Sequence, residues 1–149
     1  MFRRTAWLAL PLLLWLAPAS SDTVGAEACK TCHPAEYAQW RTTGHASALA
    51  RLSAKDQRDR VCRRCHTMEP ASEDAALCGV QCESCHGGGT LYAQRYVMKD
   101  KVLAKLLGLD EITKATCLTC HTSETPGMAP FDFEKALVRV IHQPKKAAR

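Results

Sequence analysis

Aromatic side chains are scarce. Phe, Trp and Tyr together number nine in 149 residues, and Trp7 and Trp15 fall within the first 19. The rest of the chain is short of the bulk that fills an ordinary core, so a protein of this size would be marginal on its own apolar side chains. Long apolar runs are also missing beyond the N-terminus, which excludes a series of membrane spans and leaves membrane contact only through a partner. Alternation of period two is absent, which excludes a sheet-based class. Charge of one sign is not in large excess: 20 basic residues face 15 acidic ones. The basic residues read as dispersed, with "QPKKAAR" at the C-terminus as the one cluster, taken as a solvated tail. Nothing argues for nucleic acid.

The first 19 residues form a different region. Arg3 and Arg4 precede the apolar run "TAWLALPLLLWLA", and small residues close it at Ala17 and Ala19. That order predicts a secretory signal peptide cleaved after Ala19, hence an exported or periplasmic chain, with residues 20–149 as one domain.

Cysteine is plentiful. Eight of the nine cysteines fall in one signature repeated four times: Cys29-Lys-Thr-Cys32-His33, Cys62-Arg-Arg-Cys65-His66, Cys82-Glu-Ser-Cys85-His86 and Cys117-Leu-Thr-Cys120-His121. Cys-x-x-Cys-His is the attachment sequence of c-type haem. Two thiols one helical turn apart reach the two vinyl groups of one porphyrin, and the adjacent imidazole reaches the iron. A zinc ribbon or a disulfide scaffold uses cysteine pairs too. Neither needs a histidine after every second cysteine, a coincidence on the order of one in a hundred thousand if His occurs at about one residue in twenty. The expected cofactors are therefore four covalently bound haem c groups, with His33, His66, His86 and His121 as iron ligands. Cys78 is left over and reads as an unreactive structural thiol. In "QCESCHGGG" the glycines Gly87, Gly88 and Gly89 are expected to let the backbone pass close to a flat ring.

The connections read as helical where they are regular. "PAEYAQW" starts with Pro34, suited to a first turn. "HASALARL" and "RYVMKDKVLAKLLG" carry a helical apolar repeat, the second stopped by Gly108, and "FDFEKALVRVIH" has Asp132 as N-cap. "SAKDQRDR" and "TMEPASEDAALCG" read as polar loops. The fold expected is mainly α, a small loop-rich multihaem cytochrome c domain whose haems form the core.

At these residues the chain resembles the tetrahaem cytochromes of the cytochrome c-554 and c-prime type. "CKTCHPAEYAQWRTTGHASA" is similar to the family's first haem site and the Trp-x-x-Thr-x-His-Ala segment after it. "GVQCESCHGG" is similar to its third site, with Gly88 where the family usually has proline. The resemblance implies His45 and a histidine at the place of His142 as distal iron ligands. The family's further histidine, ligating the first haem, has no counterpart in "GTLYAQRYVMKDK".

Six histidines cannot supply eight axial positions. His45 and His142 are expected to serve the third and fourth haems. Met98, in the segment of the missing histidine, is the candidate sulfur ligand of the first haem, ahead of Met68 and Met128. The second haem, bound through His66, is expected to be open. The expected function is electron transfer between redox protein partners, a donor and an acceptor, through closely packed haems. Two alternatives stand beside it: a redox enzyme acting on a small nitrogen or sulfur compound at an open haem, and a subunit of an extracellular cytochrome filament, for which self-association would be required.

Overall fold

Eight short α-helices, none longer than eight residues, carry the described chain: α1 (Ala26–Lys30), α2 (Pro34–Arg41), α3 (Arg60–His66), α4 (Glu83–His86), α5 (Gly89–Tyr92), α6 (Lys101–Leu106), α7 (Lys114–Leu118) and α8 (Phe133–Val140). The computed structural model describes residues 23–125 and 130–142, so the predicted leader, Met128 and the basic tail lie outside the described residues. Among those residues the only β pairing is isolated bridges from Thr67 to Cys78 and Gly79. The mainly α, loop-rich class is what the absence of strand alternation predicts. No helix of the described residues is long and apolar enough to cross a membrane.

Local chemistry explains most boundaries. Pro34 opens α2, where its missing N–H costs nothing. Asp59, Asp100 and Asp132 cap α3, α6 and α8 by accepting from backbone N–H groups in the first turn. Thr113 and Thr116 form a reciprocal capping box at α7. Two predicted helices are shorter than expected. "HASALARL" keeps only a 3₁₀ turn at Leu49–Arg51, because tertiary bonding takes its backbone: the His45 carbonyl accepts from Val80 N at 3.0 Å. "RYVMKDKVLAKLLG" breaks at Asp100 into a 3₁₀ turn, Val97–Lys99, and α6. Asp100 is extended there and bonds Val102 N and Leu103 N at 3.0 and 3.1 Å, so the short acidic side chain competes with the helix it would otherwise continue. Both predicted loops contain one 3₁₀ turn, Asp56–Arg58 and Ala75–Leu77.

The protein's own core is small. The buried apolar residues are Ala26, Ala48, Tyr92, Val97 and Ala104, and the last three form one cluster with Met98, Leu103, Leu107 and Leu109 packed on it. Val61, Val102, Leu106 and Val138 are each at least 70% exposed. More large apolar side chains stand open than are fully closed in this cluster, as expected of a polypeptide built round something other than itself.

Candidate functional site

All four Cys-x-x-Cys-His segments fold alike. In the first, third and fourth, the histidine N–H donates to the carbonyl of the leading cysteine at 2.9, 3.0 and 3.0 Å, closing one α-turn, and the second lies inside α3. The turn puts both thiols and the imidazole on neighbouring positions of one short cylinder. None of the nine cysteines is in a disulfide. Among the described residues no three of His, Cys, Asp and Glu converge as a metal-binding group, so the motifs present pairs of thiols rather than a tetrahedral cage.

The chain brings these motifs together out of sequence order. Cys29 and Cys82, of the first and third motifs, lie near enough to perturb each other, which pushes the Cys29 thiol up and holds the Cys82 thiol down. Cys85 of the third motif is pushed up by burial and then by Cys117 and Cys120 of the fourth. Cys65 of the second motif is pushed up by burial and then by Cys120 of the fourth, with which it lines one cavity. The spatial succession is thus first, third, fourth, second.

The two remaining histidines stand opposite motif histidines. His142, just past α8, has its ring centroid 6.3 Å from that of His86 with planes 19° apart. His45 has its centroid 6.0 Å from His121 at 60°. A metal–imidazole nitrogen bond of about 2.0–2.1 Å puts the ring centroid about 3.2 Å from the metal, so two imidazoles across one ion stand about 6.3 Å apart. Phe131 lies against His121 at 4.6 Å and fixes that ring. Burial lowers the His45, His86 and His121 pKa values below the usual imidazole range, helped at His45 by His121 and at His86 by His142. Neutral imidazole is the metal-binding form. Among the described residues His33 and His66 have no facing histidine ring; the other four are paired as above. His66 Nδ1 lies 2.7 Å from the Ala48 carbonyl, an arrangement that fixes the donor at Nδ1 and leaves Nε2 bare for iron. Met98 packs against the Tyr92, Val97 and Ala104 cluster. Met68 borders a cavity of about 190 Å³ with Arg64, Cys65, Thr67, Thr119 and Cys120, between the second and fourth motifs. Cys78 is half-buried, with Sγ 3.7 Å from the Asp74 carbonyl.

The glycine run has mixed reasons. Gly87 has φ +78°, and a Cβ there would run into the Gly108 carbonyl oxygen. A Cβ at Gly89 would come within 2.9 Å of the Glu83 carboxylate and 3.0 Å of the Val24 side chain. Gly88 lines a recess of about 340 Å³ with Thr90, Leu91, Leu106, Leu107 and Gly108. Close approach to the Gly108 backbone explains Gly87, and close approach to the Glu83 and Val24 side chains explains Gly89; nothing in the structure requires glycine at 88.

Two residues inside the third motif region were not singled out from sequence. Glu83 is 6% exposed, and its carboxylate accepts from Val24 N, Gly25 N and Gly89 N at 2.8, 2.8 and 2.7 Å. Gln81 is 4% exposed; its Oε1 accepts from Ala26 N at 2.7 Å, while Nε2 donates to the Ala76 and Cys78 carbonyls at 2.7 and 2.9 Å. They flank Cys82 and grip the start of α1, so the segment that carries the third motif also seats the first. Their signal was present as two polar residues alternating with the cysteine in "QCES", but burial of both is a tertiary fact. The charge distribution also differs from the dispersed reading. Arg51, Lys55, Arg58, Arg60 and Arg64 are all exposed along one stretch leading into the second motif, interrupted by Asp56 and Asp59.

The residues fit haem c: paired thiols on one turn, an imidazole beside each pair, two histidine pairs with ring centroids 6.0 and 6.3 Å apart, recesses beside the motifs and a protein core too small to close alone. Residues 28–87, which hold the first three motifs and His45, match the family described as cytochrome c554 and c-prime. Cytochrome c-554 of Nitrosomonas europaea is 34% identical over a match covering 44% of this chain and 38% of that protein. The match therefore spans well under two thirds of the curated relative's length. The structure of reduced cytochrome c554 from Nitrosomonas europaea superposes with a TM-score of 0.56 over 80% of this chain and 78% of that one, at 24% identity, which is a likeness of fold.

Proposed function

Because the chain is a multihaem c-type cytochrome resembling the cytochrome c554 and c-prime family, we propose that it is exported through its leader, carries four haems, and transfers electrons between a redox protein donor and acceptor. The observation that carries this reading is that the motifs lie close together out of chain order, the first joined to the third through Gln81 and Glu83, the third beside the fourth, and the second and fourth on one cavity wall. Haem iron, when bound, supplies a one-electron couple tuned by axial ligand, hydrogen bonding and burial.

The chain's residues do the rest. Cys29 and Cys32, Cys62 and Cys65, Cys82 and Cys85, Cys117 and Cys120 hold one haem each as thioethers. His33, His66, His86 and His121 bind on the proximal side. His142 serves the third site opposite His86 and His45 the fourth opposite His121, in keeping with the ring separations of 6.3 and 6.0 Å. The first site takes Met98 or no protein ligand, and the second site, at His66, stays open. Export to the periplasm rests on the arginine-led apolar segment that ends at Ala19.

Reduced holoprotein treated with carbon monoxide, followed by electron paramagnetic resonance of the oxidised form, tests the reading. We expect four haems by pyridine haemochrome, two of them low-spin bis-histidine centres and at least one high-spin centre that binds carbon monoxide. Met98→Ala should turn a further low-spin signal high-spin if the thioether ligates the first haem. Fewer than four haems overturns the stoichiometry, and four unreactive low-spin centres overturn the open site.

A further inference from the structure

Glu83 is a buried acid with no role in holding a haem. It lies between Cys82 and Cys85 in sequence and accepts three backbone N–H groups, two from the chain leading into the first motif and one from the turn after the third. Gln81, one residue before Cys82, meets the neighbouring N–H of Ala26 with a neutral amide. The same clamp therefore uses a charged member and an uncharged one. Sequence separations of 55, 58 and 59 residues make these contacts a tertiary bolt between the two motifs rather than a local cap.

A geometric clamp needs acceptors, and a second glutamine would supply them in part. A carboxylate adds a full negative charge where water is excluded, and in such surroundings a charge acts far more strongly than at a surface. Its reach is visible in the molecule: Glu83 raises the thiols of both Cys29 and Cys82 through its charge, as it does the buried Tyr92 hydroxyl, although it is not the largest influence on any of them. Among the described residues the three ion pairs are Lys30 with Glu27, Lys105 with Glu111 and Lys135 with Asp132, so no lysine or arginine there neutralises Glu83 by direct pairing. Reduction of an iron adds one negative charge to its site, and a fixed nearby anion opposes that step.

We infer that Glu83 is a positioning residue with a second role, for it seats the first haem site against the third and, as a buried anion, holds both at a lower potential than the second and fourth. The inference rests on the haem-binding reading above and would direct electrons away from the clamped pair toward the second motif. Nothing in the second or fourth motif occupies an equivalent place, since the residue after the leading cysteine is Arg63 in one and Leu118 in the other.

Spectroelectrochemical titration of the intact holoprotein tests it, with Glu83→Gln as the variant that removes the charge and keeps the shape. The wild type is read first: absence of redox-active haem overturns the functional reading itself, whereas four titrating haems leave Glu83 to be judged alone. In Glu83→Gln we expect two haems to become easier to reduce by at least tenfold in the ferric–ferrous equilibrium, about 59 mV for a one-electron couple, with the other two unmoved. No change, or an equal change in all four, overturns the inference. Glu83→Asp keeps the charge and loosens the clamp, and also serves if the glutamine variant does not assemble. It should melt lower than wild type with potentials unchanged. A tenfold rise in the same two centres of Glu83→Asp would show that geometry rather than charge sets them, and would overturn the assignment.

Discussion

The pairing of the first and third motifs and the pairing of the second and fourth are built differently. The former is bolted by Gln81 and Glu83, both at most 6% exposed, through hydrogen bonds that cross more than fifty residues of sequence. The latter has a cavity of about 190 Å³ lined by Cys65 and Cys120, while its supporting loop hangs from the half-buried Arg63, which donates to the carbonyls of Gln57, Pro70 and Ser72. One side is held by protein around a buried charge, and the other is held by surface loops and, in the functional reading, by the cofactors themselves. Polar groups can substitute for an apolar core only when every donor and acceptor is met.

Removing haem should break both sides and is the largest effect expected. Chain produced without haem attachment should show no cooperative thermal transition by circular dichroism, because the buried apolar residues are too few to offset chain entropy. Native-like helicity with a sharp transition would contradict the core argument.

Next comes a pair of substitutions that sharpens the contrast. Gln81→Ala in the holoprotein should lose about 2–4 kcal/mol in chemical denaturation, since the buried Ala26 N–H loses its partner away from water and the Ala76 and Cys78 carbonyls lose part-buried ones. Arg63→Met should cost less, about 1–2 kcal/mol, because its three bonds are part-buried and none leaves a fully buried backbone group bare. Equal losses would erase the distinction between the two sides.

The turn after the third motif gives opposite signs at adjacent residues. Gly87→Ala should destabilise by about 2 kcal/mol or more, since φ +78° is unfavourable for alanine and its Cβ meets the Gly108 carbonyl. Gly88 has φ −65°, already the proline value. Gly88→Pro should therefore raise stability by about 0.4–1 kcal/mol through the unfolded chain, read as a higher melting temperature.

The smallest effect concerns α8, which leads to His142. The Asp132 side chain bonds Lys135, first through its ammonium and then its backbone N–H, and this holds the Asp132 carboxyl below its ordinary value. A lowered folded-state pKa means that the stabilisation is present above the unfolded carboxyl value, near pH ~4, and is lost as pH falls through the lower folded one. Acid titration of the holoprotein, followed by the spectrum of the haem that the functional reading gives to His142, should lose that part of its pH response in Asp132→Asn. An unchanged titration would show that the cap is without consequence for His142.

Much of the site was legible in the sequence because its chemistry is local. Cys-x-x-Cys-His is one helical turn whatever surrounds it, so the eight cysteines, the four adjacent histidines and the helix starts at Asp132 and Pro34 followed from spacing and backbone geometry alone. Scarce aromatics likewise foretold a small protein core, since side chains that are absent cannot be buried. Three matters belonged to the tertiary structure. The motifs neighbour one another in the succession first, third, fourth, second, because proximity across loops of unequal length does not follow chain order. "HASALARL" stays a set of turns because distant groups share its carbonyls: Val80 N on His45 and the His66 ring on Ala48. Glu83 looked like an ordinary surface acid, and only the folding of residues 24, 25 and 89 around it made a buried charge, for a carboxylate's meaning depends on which donors the fold brings to it.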